Sequence, residues 1–126
     1  IAGPLGGYKP VPHGMACAAL LAPVLETNAR LLGDLPSENH QLDRFRETAQ
    51  LLTGEPQASV DDGIRWLYAL QRQLGLPMLD QFNLTDGDLA VVAKNALNAG
   101  SMRGNPVTLE KQAIIDILKK AMEPGP

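Results

Sequence analysis

The side chains best suited to bind a metal are scarce in this sequence, which contains two histidines and one cysteine. His13 lies between Pro12 and Gly14, directly before a strongly apolar segment. A side chain at the beginning of a helix can point into a cleft, so the position of His13 suits a metal ligand. A histidine that caps the helix or rests at the surface fits the same residues, and on local sequence alone it is the commoner case.

A catalytic metal needs about three or four protein ligands. The other histidine, His40, is predicted on an exposed helix, and no second histidine or cysteine lies at ligand spacing from it. Cys17 falls inside the apolar segment, where we expect a buried, unreactive thiol. The aspartates collect at predicted helix starts, where the helix dipole explains them. We therefore predict no catalytic residue, and a metal site that this chain cannot complete by itself.

The helix that would carry His13 is predicted from residues 15–25, which are all apolar or proline. So uniform a segment indicates a helix buried on most sides, and Asn28 marks its expected end. Pro23 removes an amide donor inside it, so we expect a kink or a restart there. A polar connection punctuated by Gly33 and Pro36 follows.

Four further helices are predicted downstream, because apolar residues recur at spacings of three and four. The first of them ends near Gly54. Ser59 and Thr85 each precede an aspartate by three residues, which is the capping-box spacing and marks the next two helix starts. Thr108 is predicted to cap the last helix. Because no segment alternates strictly between apolar and polar residues, the sequence predicts an all-α helical bundle.

The composition excludes several classes of partner. The chain has 126 residues, a formal net charge of -3 and 44% hydrophobic residues, so it has no basic surface that would attract nucleic acid or anionic membrane. The longest apolar stretch is shorter than the roughly 20 residues that cross a bilayer. No glycine pattern matches a phosphate-binding loop. The single cysteine agrees with a cytoplasmic protein, which we take as the default.

The first 28 residues carry a specific resemblance. Residues 1–8 read IAGPLGGY and residues 12–24 read PHGMACAALLAPV; together with Asn28 they follow, approximately, the pattern HxxxHxLGxxxxxxHGxxxAxxLPxVxxxN. This pattern resembles the signature of the iron-dependent (group III) alcohol dehydrogenases. Residues 104–106, Gly-Asn-Pro, resemble the Asn-Pro turn near the C-terminus of the same family.

The resemblance implies that residues 1–126 form one helical domain like the C-terminal domain of these enzymes, which have a dehydroquinate synthase-like fold. The chain opens with Ile1 instead of methionine, which reads like a cut end. We therefore expect a C-terminal fragment of a longer two-domain enzyme, inactive alone. Its expected partner is a missing N-terminal dinucleotide-binding domain.

In this family the metal lies in the cleft between the two domains, bound by one aspartate and three histidines. The resemblance makes His13 the counterpart of the last histidine, while the other ligands would lie upstream of Ile1. It implies Fe²⁺ or Zn²⁺ and NAD(P) as cofactors of the full-length parent enzyme, with neither bound by this chain alone. The implied reaction is hydride transfer between a small alcohol or aldehyde and NAD(P).

At Gly3 this sequence departs from the family's pattern. The family has its second signature histidine at this position, near the nicotinamide. This leaves metal binding possible and puts proton relay in doubt. By position, Tyr8, Ser101 and Asn105 are expected to line the substrate pocket, although ordinary turn residues would fit equally well.

A second hypothesis remains open, in which the chain is a free-standing helical interaction module without catalysis. The apolar surface around residues 15–25 would then bind a partner helix or a second copy of the chain. A homo-oligomer is compatible with both hypotheses.

Overall fold

A computed structural model describes residues 1–35 and 40–125 of the chain. This described part contains helices and connecting turns and no strand, so the predicted all-α class is confirmed. The α-helices, in chain order, are α1 Ala2–Tyr8, α2 His13–Gly33, α3 Gln41–Thr53, α4 Val60–Gln73, α5 Asp86–Leu97 and α6 Lys111–Lys120. Short 3-10 helices cover Leu79–Phe82 and Gly100–Gly104. Pro36, in the predicted connection after α2, lies outside the described residues.

The long helix α2 is the centre of the fold, because α1, α3, α4 and α6 all pack against it. It runs without interruption past Pro23 and ends at Gly33, so the predicted end at Asn28 is wrong. Asn28 is only 2% exposed, and its amide bonds to the side chain of Asn105. A partner outside the helix removes the competition with the backbone that makes asparagine a helix terminator.

The expectation that residues 15–25 are buried on most sides is confirmed only in part. Ala16, Ala19 and Leu20 are buried in the core, whereas Met15 and Leu21 are 41% and 50% exposed. Among the described residues, α2 therefore keeps some apolar side chains at the surface. By length and composition alone α2 could cross a membrane, but a core helix passes the same test, and four other helices pack on this one.

Two clusters of buried side chains hold the bundle together. The larger one joins α1, the first half of α2, α5 and α6, with Leu5, Val92 and Ile117 fully buried. The smaller one joins α2 to α4 through Ala22, Ile64 and neighbouring residues. The helix α3 packs mainly on α4 and to a smaller extent on α2.

Local signals located most helix ends correctly. Ser59 and Thr85 begin α4 and α5 with complete capping boxes, and Gly54 ends α3 with a left-handed φ of 75°. Thr108 is not a cap, because α6 begins two residues later than the predicted cap implies, with Glu110 as an N-cap that forms no side-chain bond. Leu109 is 3% exposed, and its burial in the core keeps the chain extended at this point.

The helix α1 was not predicted from the sequence. Three of its seven residues are glycine, which has a low helix propensity, and one is proline. Leu5 is fully buried in the larger cluster. Tertiary packing of this one leucine outweighs the poor local propensity.

Candidate metal-ligand site and adjoining cavities

His13 is the first residue of α2, and its side chain is exposed. Two preceding residues position it: Val11 is buried, at 4% exposure, and Pro12 is the N-cap of the helix. Proline suits a helix start, because an amide donor there has no intrahelical partner to lose. The buried valine anchors the turn in the core, so the imidazole one residue into the helix is left at the surface.

Cys17 lies one turn after His13 on the same face of α2, where residues four apart are neighbours. Its Sγ atom is 3.5 Å from Nε2 of His13. The thiol is exposed, so the expectation of a buried cysteine is wrong. The helix thus presents two potential metal ligands side by side, whereas the sequence predicted only the histidine as a ligand.

His13 and Cys17 could supply two ligands to a metal but do not form a complete site, and we call this pair the metal edge. Among residues 1–35 and 40–125, no group of three or more histidine, cysteine, aspartate or glutamate side chains could hold a metal ion. An exposed imidazole is a suitable ligand for iron or zinc, but a stable site needs three or four ligands. The donors described here therefore fit a metal only if other polypeptide completes the set.

A cavity of about 480 Å³, which we call the cysteine-side cavity, begins next to this edge. Cys17 and Leu21 of α2 form one wall, and Ser101 and Asn105 lie across from them. The structure thus brings two of the three predicted pocket residues, Ser101 and Asn105, into one cavity with Cys17. The third, Tyr8, is not among the residues that line this cavity.

The side-chain amide of Asn105 forms hydrogen bonds that hold one wall of the cysteine-side cavity in place. Asn28 and Asn105 each donate to the other's side-chain oxygen at 2.9 Å, and Asn105 also donates to the Val107 carbonyl at 2.7 Å. These bonds attach the turn at residues 104–106 to the middle of α2. Asn105 therefore shapes the cavity through its partners within the chain.

Tyr8 belongs to a separate contact between the end of α1 and the beginning of α5. A hydrogen bond with Asp88 raises the pKa of Tyr8, and the Lys9 ammonium lies 5.8 Å from the centre of its ring. Lys9 also pairs with Asp88 at 3.0 Å. The backbone amide of Thr85, followed by Lys9, holds the pKa of Asp88 well below its usual range. This contact fixes the turn that leads into His13.

Gly3 and His40 complete the predicted positions. A side chain at Gly3 would find no atom within 4 Å of its Cβ, so the position where the family has a histidine is open space. His40 is exposed just before α3, with Nδ1 3.4 Å from an oxygen of Asp43. Its contact is local and its exposure is as predicted, but it lies one residue before the helix on which it was predicted.

A second cavity, of about 570 Å³, was not expected from the sequence. We call it the α3–α4 groove, since Arg44, Phe45 and Thr48 of α3 face Ile64 of α4 across it. The turn at residues 104–106 closes one end and separates it from the cysteine-side cavity. Helical periodicity predicted the apolar faces of α3 and α4 but carries no signal for the gap between them.

The described residues thus place an exposed histidine one helical turn before a cysteine that lines an open cavity. The family description "Fe-containing alcohol dehydrogenase family, C-terminal" matches residues 1–122, and the chain belongs to this family. The resemblance that the first 28 residues carry is thereby confirmed.

Three relatives illustrate the range of the family. The chain is 29% identical over 120 residues to alcohol dehydrogenase 4 of Saccharomyces cerevisiae and 28% identical over 123 residues to choline dehydrogenase of Bacillus subtilis. It is 26% identical over 127 residues to lactaldehyde reductase of Escherichia coli. The matches cover 94%, 97% and 96% of this chain but 29%, 29% and 31% of the relatives. The chain thus spans under a third of the length of each.

Proposed function

We propose that this chain is the helical C-terminal domain of a metal-dependent alcohol dehydrogenase and contributes His13 as one ligand of its metal. The observation that carries the proposal is the exposed imidazole at the first turn of α2, within a chain that matches the family over residues 1–122. An N-terminal dinucleotide-binding domain would supply the other ligands and the NAD(P) site. The relatives' greater length is consistent with such a domain.

In the proposed enzyme, His13 and ligands from the other domain would hold an iron or zinc ion, which would supply a Lewis acid for the oxygen of the alcohol or aldehyde that exchanges a hydride with NAD(P). His13 serves as a neutral imidazole, because only an unprotonated ring nitrogen can bind a metal. Cys17, Leu21 and Ser101 form the adjoining wall and limit the access of water. Gly3 has no side chain that could transfer a proton, so this chain supplies no proton relay at that position.

The proposed substrates are small alcohols or aldehydes, and the proposed location is the cytoplasm. The names of the relatives range from choline dehydrogenase to lactaldehyde reductase, so family membership leaves the particular substrate open. The apolar residues of the cysteine-side cavity, among them Leu20, Leu21 and Val24, favour a substrate with a hydrocarbon part.

The proposal is tested by comparing the 126-residue chain with the same chain joined to its dinucleotide-binding domain. We expect the two-domain protein to hold about one metal ion per subunit and to oxidise alcohols with NAD(P), since only it has a full ligand set. The chain alone is expected to do neither. Stoichiometric iron or zinc together with aldehyde reduction by the isolated chain would contradict the assignment.

The exposed apolar side of α2 supports a second candidate, the interaction module without catalysis. Leu21 is 50% exposed there, one turn after the exposed Cys17, and exposed apolar surface commonly marks interfaces. Under the first proposal the other domain covers this side. Sedimentation of the isolated chain and of Leu21→Ser measures self-association through the patch, and a two-domain protein without any dehydrogenase activity would favour the module.

A further inference from the structure

The α3–α4 groove is a cavity that the proposed reaction does not use. Its volume of about 570 Å³ falls within the roughly 300–1,000 Å³ of small-molecule sites. Leu25, which lines the groove, follows His13 by twelve residues on α2. At 1.5 Å per residue this is about 18 Å along the helix. The groove thus lies away from the end of α2 that carries His13. It shares Leu25, Gly104 and Asn105 with the cysteine-side cavity, and its other lining residues belong to α3, α4 and Pro106.

Arg44 gives the groove its charge. Among the described residues that line it, Arg44 alone is ionised at neutral pH. Its guanidinium is exposed and forms no hydrogen bond or ion pair with the residues that the structure describes. Arg46 on the same helix, by contrast, pairs with Asp43 at 3.3 Å. A guanidinium at the edge of a cavity that pairs with none of the described carboxylates is suited to bind an anion.

The rest of the lining indicates which kind of anion would fit. Phe45 and Leu52 of α3 and Ile64 and Leu67 of α4 provide apolar walls. The Thr48 hydroxyl already donates to the Arg44 carbonyl at 2.8 Å. One guanidinium beside an apolar wall suits a singly charged head with a hydrocarbon chain. A phosphate, with three strong acceptor oxygens, would need more donors.

We propose that the α3–α4 groove binds a small amphipathic carboxylate. The carboxylate pairs with the Arg44 guanidinium, and the hydrocarbon chain lies between the apolar faces of α3 and α4. This site is distinct from the metal edge at His13 and does not depend on the dehydrogenase assignment.

Hexanoate and 1-hexanol, which share a hydrocarbon chain and differ in charge, are the probes. Trp66 is the single tryptophan of the chain and packs against the cluster that contains Ile64 and Leu67, so its fluorescence reports on the groove. At constant ionic strength, we expect a saturable change with hexanoate and a dissociation constant of roughly 1–5 mM for so small a ligand. Hexanol should bind roughly fivefold more weakly, because it lacks the partly exposed ion pair.

Two arginine variants separate the proposed contact from a general effect of charge. Arg44→Gln should weaken hexanoate binding roughly fivefold and leave hexanol binding unchanged. Arg46→Gln removes the same charge from the same helix outside the groove, and it should bind both probes as the original chain does. Thr48→Phe should narrow the groove and weaken the binding of both. Circular dichroism of each variant checks that the helices are intact.

Three results would each overturn the proposal: no saturation by about 50 mM hexanoate, equal binding of hexanoate and hexanol, or equal effects of the two arginine variants. Since both arginines are exposed, neither replacement should prevent folding, and each titration therefore decides for or against the site.

Discussion

The pair formed by Asn28 and Asn105 is the polar contact on which the two cavities depend. The two residues are 77 positions apart in the chain, and each amide satisfies the other. Because Asn28 is almost fully buried, loss of its partner would leave a polar group without water or protein to bond to. A buried unsatisfied amide costs about 1–3 kcal/mol.

We therefore expect Asn105→Ala to lower the free energy of unfolding by about 1–3 kcal/mol. Urea denaturation followed by circular dichroism measures the change. Asn98→Ala is the matched control, because Asn98 is exposed and bonds only to a carbonyl of its own helix; it should change stability by less than about 0.5 kcal/mol. If the double variant Asn28→Ala with Asn105→Ala lost the full sum of the two single effects, the two amides would not be coupled as described.

No local sequence signal identifies this amide pair. Asparagine at position 28 looks like a helix end, because its side chain often bonds to nearby backbone. Only a partner far along the chain reverses that expectation. The exposure of Cys17 could not be predicted either. A uniformly apolar segment does not show which side of α2 the other helices cover.

At the scale of helices, ends that depend on residues three or four apart were predictable. The capping boxes at Ser59 and Thr85 and the glycine that ends α3 require only local geometry. The start of α6 and the existence of α1 depend on the burial of Leu109 and Leu5. Such tertiary effects are absent from a short sequence window.

The two threonines predicted as caps provide a direct comparison. Thr85 accepts a hydrogen bond from the Asp88 amide in the structure, whereas Thr108 is exposed and is not the N-cap of α6. Thr85→Ala should lower the free energy of unfolding by about 0.5–2 kcal/mol. Thr108→Ala should leave it within about 0.5 kcal/mol. Thermal or urea denaturation of both variants decides, and an equal loss would place the cap at Thr108 after all.

The close approach of α3 and α4 depends on Gly63. A Cβ at this position would lie 2.6 Å from the Cβ of Ala49 and 2.8 Å from its Cα, and Ala49 is itself buried. Gly63→Ala should push the helices apart and lower the free energy of unfolding by about 1–3 kcal/mol.

Gly87→Ala is the control for the intrinsic effect of alanine in a helix. The atom nearest to a Cβ at this position would be the Thr85 hydroxyl oxygen, at an ordinary 3.7 Å. The Gly87→Ala variant should therefore be as stable as the original chain or more stable by up to about 1 kcal/mol. Chemical denaturation of both variants gives the comparison. A Gly63→Ala protein as stable as the original would show that the helices are farther apart than described.

At the scale of the whole molecule, Glu26 joins three helices. It accepts hydrogen bonds from Tyr68 of α4 at 2.9 Å and from Lys120 at the end of α6 at 2.7 Å. Partial burial opposes ionisation, but the bonds from Lys120 and Tyr68 outweigh it and lower the pKa of Glu26 below its ordinary 4.5. A carboxyl with a lowered folded-state pKa stabilises the fold above its unfolded-state pKa and loses this contribution as the pH falls.

We expect Glu26→Gln to be less stable than the original chain at neutral pH by about 1 kcal/mol. The difference should shrink as the pH falls below about 4.5, because the original chain then loses its ionised carboxylate. Urea denaturation across this range measures it, with exposed Glu47→Gln as the control. A difference that stayed constant with pH would mean that ionisation of Glu26 contributes nothing.

The family and the all-helical class could be predicted from the sequence, because the signature and the helical periodicity are both written in local patterns. The two cavities could not, since they arise where α2, α3, α4 and the turn at residues 104–106 fail to fill the space between them. The position of His13 at the start of α2 was predictable, but its role depends on polypeptide beyond this domain.

The most direct test of the role proposed for His13 is replacement of each histidine in the proposed full-length two-domain enzyme. His13→Ala should reduce bound metal well below one ion per subunit and lower alcohol oxidation at least about a hundredfold, because a metal ligand is removed. His40→Ala should leave both unchanged, since His40 is an exposed residue with a local partner. Full metal content together with undiminished alcohol oxidation in the His13→Ala enzyme would contradict the account.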